Sequence, residues 1–284
     1  ARRVGQGGQP GPVHVDVPIG VAEGAEPSAA LAATLPDRPV ATEAQIARLQ
    51  AALDGARRPI AIAGVDAVNE AAGPAIAEFC RAHGVPLITT YKGKGLLAED
   101  DPLSLMGAGL SPRADRVLLP LLAGADLVLL LGYDPIEMRI GWRNPFAADQ
   151  RVIEIAPVPR LHGMHRSDET VLAGVADTLA RLQPGGGIRW QGGEVAAARK
   201  ALHAAFLGED RPWGPHAAFR TLRRVLPDTA ILTADSGAHR ILLSQMWQAR
   251  APRHLLQSSG FCTMACALPL AMGARLGRPE APVV

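Results

Sequence analysis

An α/β protein built on a doubly wound parallel sheet, with truncated α/β pieces flanking it, is predicted by three features of the sequence. Apolar strands alternate with helical periods over residues 42–183, the pattern of parallel strands joined by crossover helices. The run ADLVLLLG (125–132) is too apolar to leave a wet face, as a strand covered on both sides must be. The same alternation restarts near Pro215, after the glycine-rich QPGGG at 183–187.

The elements follow in order. GPVHVDVP (11–18) alternates Val13, Val15 and Val17 with polar residues and reads as a short strand. Residues 19–40 are rich in Ala, Pro and Gly without a period, the composition of a linker. Thr42 and Gln45 have capping-box spacing, Ile46, Leu49 and Leu53 then share a helical face, and Gly55 ends that helix. RPIAIAG (58–64) is a strand; Ile76, Phe79 and Cys80 mark a helix stopped by Gly84; VPLITT (85–90) is the next strand. Ser111 caps another helix, with Pro112 at its first position. RVIEIA (151–156) is a strand and VLAGVADTLARL (171–182) the helix after it. Beyond residue 214 come helix AFRTLRRVL, strand TAILTAD, a helix over about 240–247, strand HLLQSS, helix CTMACALPLAMGARLG (262–277), and PVV, the opening of one more strand. The chain thus divides into segments 1–24, a linker 25–41, a complete domain 42–183 expected to fold alone, a linker 184–213, and 214–284.

Composition narrows the function. With 48% hydrophobic and 20% charged residues the chain is globular, not disordered. A net charge of +2, with basic and acidic residues interspersed, makes no electrostatic case for nucleic acid. No stretch approaches the ~20 apolar residues of a membrane span. Three cysteines cannot form a disulfide framework, which points to a reducing, cytoplasmic compartment. Cys262 and Cys266 lie one helical turn apart. A metal could use that spacing, but structural zinc needs four ligands, so two small residues on a buried helix face is the reading adopted.

In open parallel sheets, ligands sit at the carboxyl ends of strands against helix N-termini. Four segments meet that description. YKGKG (91–95) puts Lys92 and Lys94 on a loop that either holds a phosphate or is a solvated connection. GYDPIEMR (132–139) offers Asp134, Glu137 and Arg139 to a ribose or phosphate, or else to an internal ion pair. ADSGAH (234–239) leaves a strand and enters a helix; Gly237 gives the backbone room to approach an anion, and His239 is either a diphosphate ligand or a surface residue. SSGFCTM (258–264) repeats the geometry, with Met264 either against a cofactor or in the core. HGMH (162–165) lacks a third ligand and reads as loop. Neither of the first two segments matches the P-loop or the dinucleotide fingerprint.

Taken in order, GPVHVDVP, a linker, RPIAIAG…VPLITTYKGKG…ADLVLLLG, then TADSGAH…SSGFCTMACALPLAMGA resembles the thiamine diphosphate-dependent enzymes related to acetolactate synthase. The resemblance implies three α/β domains: 1–24 as the end of the pyrimidine-binding domain, 42–183 as the central domain, and 214–284 as the first half of the diphosphate-binding domain. It also implies that this chain is an internal piece, inactive alone, and that the strand opening at PVV leads into a Gly-Asp-Gly magnesium motif. The implied reaction is decarboxylation or carboligation of a 2-keto acid or related acyl donor by thiamine diphosphate and magnesium, in a homo-oligomer, with no nucleic-acid or membrane partner. The implied cofactor-binding residues are Ser236, Gly237, Ala238, His239, Cys262 and Met264, with no catalytic residue or metal ligand in this chain. Ala238 replaces the Gln common in acetolactate synthases, and Cys262, Ala265 and Ala267 stand where that branch tends to have Gly. Ala156 stands where an Asp suited to a ribose is common, so FAD is disfavoured. The competing reading is a free-standing nucleotide-binding module on residues 42–183, without catalysis.

Overall fold

The computed structural model describes residues 14, 16–24, 39–136, 138–160, 162–185, 187, 189–207, 212–258 and 262–284. Six strands, β1 (Pro59–Ala63), β2 (Leu87–Thr90), β3 (Ser104–Ala108), β4 (Leu127–Leu131), β5 (Arg151–Ala156) and β6 (Glu169–Leu172), form one sheet in the order β3-β2-β1-β4-β5-β6. Every neighbouring pair is parallel. Strand order reverses between β1 and β4, which is where such a sheet opens its crevice.

Each face of the sheet is covered. A four-residue helix α1 (Ile19–Ala22) precedes the sheet; α2 (Glu43–Gly55), α3 (Val65–Asn69), α4 (Gly73–His83), α5 (Pro112–Ala123), α6 (Val175–Leu179) and α7 (Glu194–Phe206) follow. The Thr42–Gln45 capping box is formed in full at the start of α2. Ile46, Leu49 and Leu53 of α2, Ile76, Phe79 and Cys80 of α4 and Val175 and Leu179 of α6 pack on Leu127, Leu129 and Leu131 of β4. Opposite them, Leu118, Leu121 and Leu122 of α5 and Leu202 and Phe206 of α7 pack on Val128 and Leu130 of the same strand. The alternation explains why β4 is apolar at every position. Gly84 ends α4 in the left-handed conformation, and Ser111 caps α5 through the Ala114 N–H.

Four expectations need correction. Strand β3 was not anticipated, because Ser, Gly and Ala dilute its apolar signal. Strand β6 occupies the start of VLAGVADTLARL, leaving only Val175–Leu179 helical; on this edge strand just Val171 is buried, so its apolar run resembles a helix face. The stretch 184–213, expected to be linker, contains the whole of α7, held in the sheet's core by Leu202 and Phe206. Residues 19–22, also expected to be linker, are the helix α1. The strand expected at 11–18 and the linker at 25–41 fall largely outside the described residues.

Toward the C-terminus, β7 (Leu232–Ala234) and β8 (Leu255–Gln257) pair in parallel, and Ile231 bridges Val283. Helices α8 (Pro215–Val225), α9 (Ala238–Met246) and α10 (Ala267–Gly277) surround them. Leu232, Ala234, Leu243, Trp247, Ala249 and Leu255 make a third core.

Candidate functional site

The turn between β7 and α9 and the loop before α10 come together through Asp235 and Ser236. Asp235 leaves β7, and its carboxylate accepts from the N–H of Ser236 (2.8 Å), of Ala265 (2.5 Å) and of Cys266 (3.2 Å), and from the Cys266 thiol (3.3 Å). The Ser236 N–H, then the thiol and the other two amides, hold this carboxyl below the usual range. The Ser236 hydroxyl donates to the Cys262 carbonyl at 2.5 Å. Arg240, on the first turn of α9, donates to the Ser258 carbonyl at 2.6 Å and lies 3.3 Å from the Cys262 sulfur.

Gly237 enters α9 at φ 144°, and a Cβ there would lie 2.8 Å from Nδ1 of His239. Only glycine fits both conditions. No side chain caps α9, and Gly237, Ala238 and His239 are exposed. The Ala238 and His239 N–H groups therefore lie in an exposed turn at the positive end of the helix dipole, while the Arg240 N–H bonds the Gly237 carbonyl.

The structure thus brings Ser236, Gly237, Ala238, His239 and Cys262 into one corner, with Met264 two residues beyond Cys262. Met264 is 81% exposed, which overturns its reading as a core residue. Cys262 and Cys266 do not share a buried helix face: α10 begins only at Ala267, and Cys266 is its N-cap. Cys262 (φ 48°) and Ala265 (φ 62°) are left-handed, a conformation natural to glycine, the residue the resemblance implies at these positions. Ala265→Gly should therefore leave stability unchanged or raise it by up to about 1 kcal/mol, because relief of strain outweighs glycine's entropy. Ala265→Val should lower it; urea denaturation distinguishes the two. Sequence reasoning passed over Asp235 and Arg240, although the quoted ADSGAH contained the first.

The central sheet uses its charged residues internally. Lys94 is buried and its ammonium lies 2.5 Å from Glu99, so it is neither a solvated nor a phosphate-holding lysine. The other Glu99 oxygen accepts the Ala249 N–H at 2.9 Å, joining the sheet's loop to the C-terminal unit. At the carboxyl edge of β1 and β4, a Cβ on Gly64 would lie 2.5 Å from the Gly132 carbonyl oxygen, so the two loops are in backbone contact. Arg160, 6% exposed, pairs there with Asp66 and with Asp134 (3.3 Å). Burial raises the Asp66 pKa against the opposing pull of Arg160. Arg139 pairs with Asp115 at 3.1 Å; Glu137 lies outside the described residues. Asp134 and Arg139 thus follow the ion-pair alternative. His162 and His165 pack 5.3 Å apart, with His165 3.5 Å from the buried Glu154. Among the described residues no group of three His, Cys, Asp or Glu side chains is placed to hold a metal. No helix among them is long and apolar enough to cross a membrane.

Comparison with known proteins agrees with this layout. Residues 46–182 match the family described as thiamine pyrophosphate enzyme, central domain, and residues 235–284 match thiamine pyrophosphate enzyme, C-terminal TPP binding domain. The chain is 27% identical to the acetolactate synthase isozyme 1 large subunit of Escherichia coli, over 100% of this chain and 51% of that protein. It is 31% identical to a probable 2-ketoarginine decarboxylase of Pseudomonas aeruginosa, over 96% of this chain and 49% of the relative. To the acetolactate synthase large subunit of Parasynechococcus marenigrum it is 27% identical, over 98% of this chain and 46% of the relative. The chain spans about half the length of the curated relatives it matches. Two domain matches to one family, the second of which includes the uncapped helix start at Gly237, show that this chain belongs to the thiamine diphosphate-dependent enzymes similar to acetolactate synthase.

Proposed function

We propose that the protein is a thiamine diphosphate- and magnesium-dependent 2-keto acid decarboxylase or carboligase, with this chain supplying its central domain and one wall of its cofactor site. The single observation that carries this reading is the uncapped, exposed start of α9 behind Gly237. A diphosphate needs close backbone approach and several donors, and this turn offers both. The N–H groups of Ala238 and His239 would donate to its oxygens, with the His239 ring as a further donor. Ala238 brings no side-chain donor of its own, so binding rests on the backbone and on His239. The Ser236 hydroxyl, bound to the Cys262 carbonyl, holds the loop that carries Met264, whose exposed side chain would support the cofactor from beside the turn. Cys262, larger than glycine, narrows the approach to the ring. When bound, thiamine diphosphate supplies the carbon nucleophile and the electron sink for decarboxylation.

The central domain takes no part in this chemistry. Its strand order favours a nucleotide, but Arg160 and its two aspartates fill the edge of the crevice, so the reading includes no FAD. The substrate class is a 2-keto acid or related acyl donor, the assembly a homo-oligomer, and the compartment the cytoplasm. The test is carbon dioxide release from a panel of 2-keto acids, pyruvate included, by the full-length enzyme. We expect release that needs both thiamine diphosphate and magnesium, without bound flavin. Release indifferent to the cofactor, or none from any acid in the panel, would overturn the proposal.

A further inference from the structure

We propose that Asp235 is the positioning residue of the cofactor corner: it staples the β7–α9 turn to the loop before α10, so that both walls stand in place before a ligand arrives. The inference rests on the cofactor reading above and names a residue that would not touch the cofactor. Its basis is the convergence of donors. Three backbone N–H groups and one thiol point at a single carboxylate, and two of the amides lie 30 and 31 residues away in sequence. Such charge-assisted bonds are about twice as strong as neutral ones.

Ser236 and Arg240 hold the start of the second loop at Ser258 and Cys262, and Asp235 holds its end, beside α10. Helix α10 starts at Ala267 without a side-chain cap from its N-cap residue Cys266 and without an acidic residue in its first turn. Asp235 supplies both from the end of a strand, capping the helix across the fold and placing a negative charge at its positive end. Its bond to Ala265 falls on a residue held at φ 62°, a conformation alanine does not favour unaided. One residue on, Ser236 holds the Cys262 carbonyl. Four of the six cofactor candidates follow Asp235 directly, and the other two precede Ala265. The Asp235 carboxylate, together with the Ser236–Cys262 bond, therefore sets the spacing between the two groups.

Hydrogen exchange and cofactor binding test the proposal. Asp235→Asn keeps the size but turns an NH2 group toward N–H donors. In this variant the Ala265 and Cys266 amides should exchange at least about tenfold faster, the loss expected for a charged hydrogen bond. In the full-length enzyme, thiamine diphosphate affinity with magnesium should fall about tenfold or more, by the same argument. The KM for the 2-keto acid should not change, and the cofactor-free variant should keep the native circular dichroism spectrum and a cooperative melt, which a general loss of structure would not spare. Asp235→Glu, which keeps the charge, should recover part of both losses. Unchanged exchange at Ala265 and Cys266, or a glutamate variant as weak as asparagine, would overturn the staple. If wild-type enzyme failed to bind thiamine diphosphate, the cofactor reading would fall, while the exchange data would still judge the staple.

Discussion

Replacing Arg160 with leucine should destabilise the protein by about 3–5 kcal/mol, the usual cost of removing one partner from a buried ion pair. Arg160 is 6% exposed and is shared by Asp66, 1% exposed, and Asp134, 12% exposed. Without it, the buried Asp66 carboxylate is left close to Asp134 with little water to screen the two charges. Leucine also leaves the guanidinium's space partly empty at the seam of the β1 and β4 loops. The loss should depend on pH, and its sign can be worked out. Burial already raises the Asp66 pKa, and removing Arg160 raises it further. A carboxyl whose folded pKa exceeds its unfolded value binds more protons in the folded state. The penalty is therefore largest at neutral and alkaline pH and shrinks as pH falls through the folded pKa. Urea denaturation of Arg160→Leu at pH 8 and pH 5 should show the larger loss at pH 8. The double variant with Asp66→Asn should recover part of it. Equal losses at both values would mean that lost packing, not stranded charge, is the cause.

Lys94→Met should cost a similar amount, about 3–5 kcal/mol, and should act at a different place. Lys94 and Glu99 are 2% and 1% exposed; one Glu99 oxygen pairs with Lys94 while the other accepts from the Ala249 N–H. Gln245 donates to the Gly107 carbonyl beside it at 2.9 Å. With Lys94 gone, the Glu99 charge is left in a dry site, and protonation or withdrawal of Glu99 weakens its hold on Ala249. The C-terminal unit should loosen before the sheet does. Limited proteolysis should then cut near residues 212–214 faster than in wild type, and the fluorescence of the buried Trp247 should shift before the sheet unfolds. Adding Glu99→Gln should restore stability in part, since a neutral amide can still accept from Ala249. A single transition, with both units lost together, would contradict this division.

The residues themselves announced much of this protein. The strand-helix alternation, the capping box at Thr42, the stop at Gly84 and the cap at Ser111 were readable because each depends on a few neighbouring residues. The strand-to-helix turn at ADSGAH was readable for the same reason: a strand end, a glycine and a helix start adjoin in sequence. Other features depended on partners distant in the chain. Lys94 on a glycine-rich loop looks solvated until Glu99 and Ala249 close over it. Met264 looks like core until α10 is seen to start after it. The periodicity of α7 was hidden because Ala dominates it, and only Leu202 and Phe206 in the sheet's core reveal its role. Asp235 carries little local mark, since its partners beyond Ser236 lie 30 and 31 residues away. Local pattern determined the fold class and the position of the turn at Gly237, because hydrogen bonds of helices and turns close within a few residues. Tertiary structure alone decided which charges are buried in pairs and which are left to meet a ligand, because desolvation depends on what the rest of the chain brings alongside.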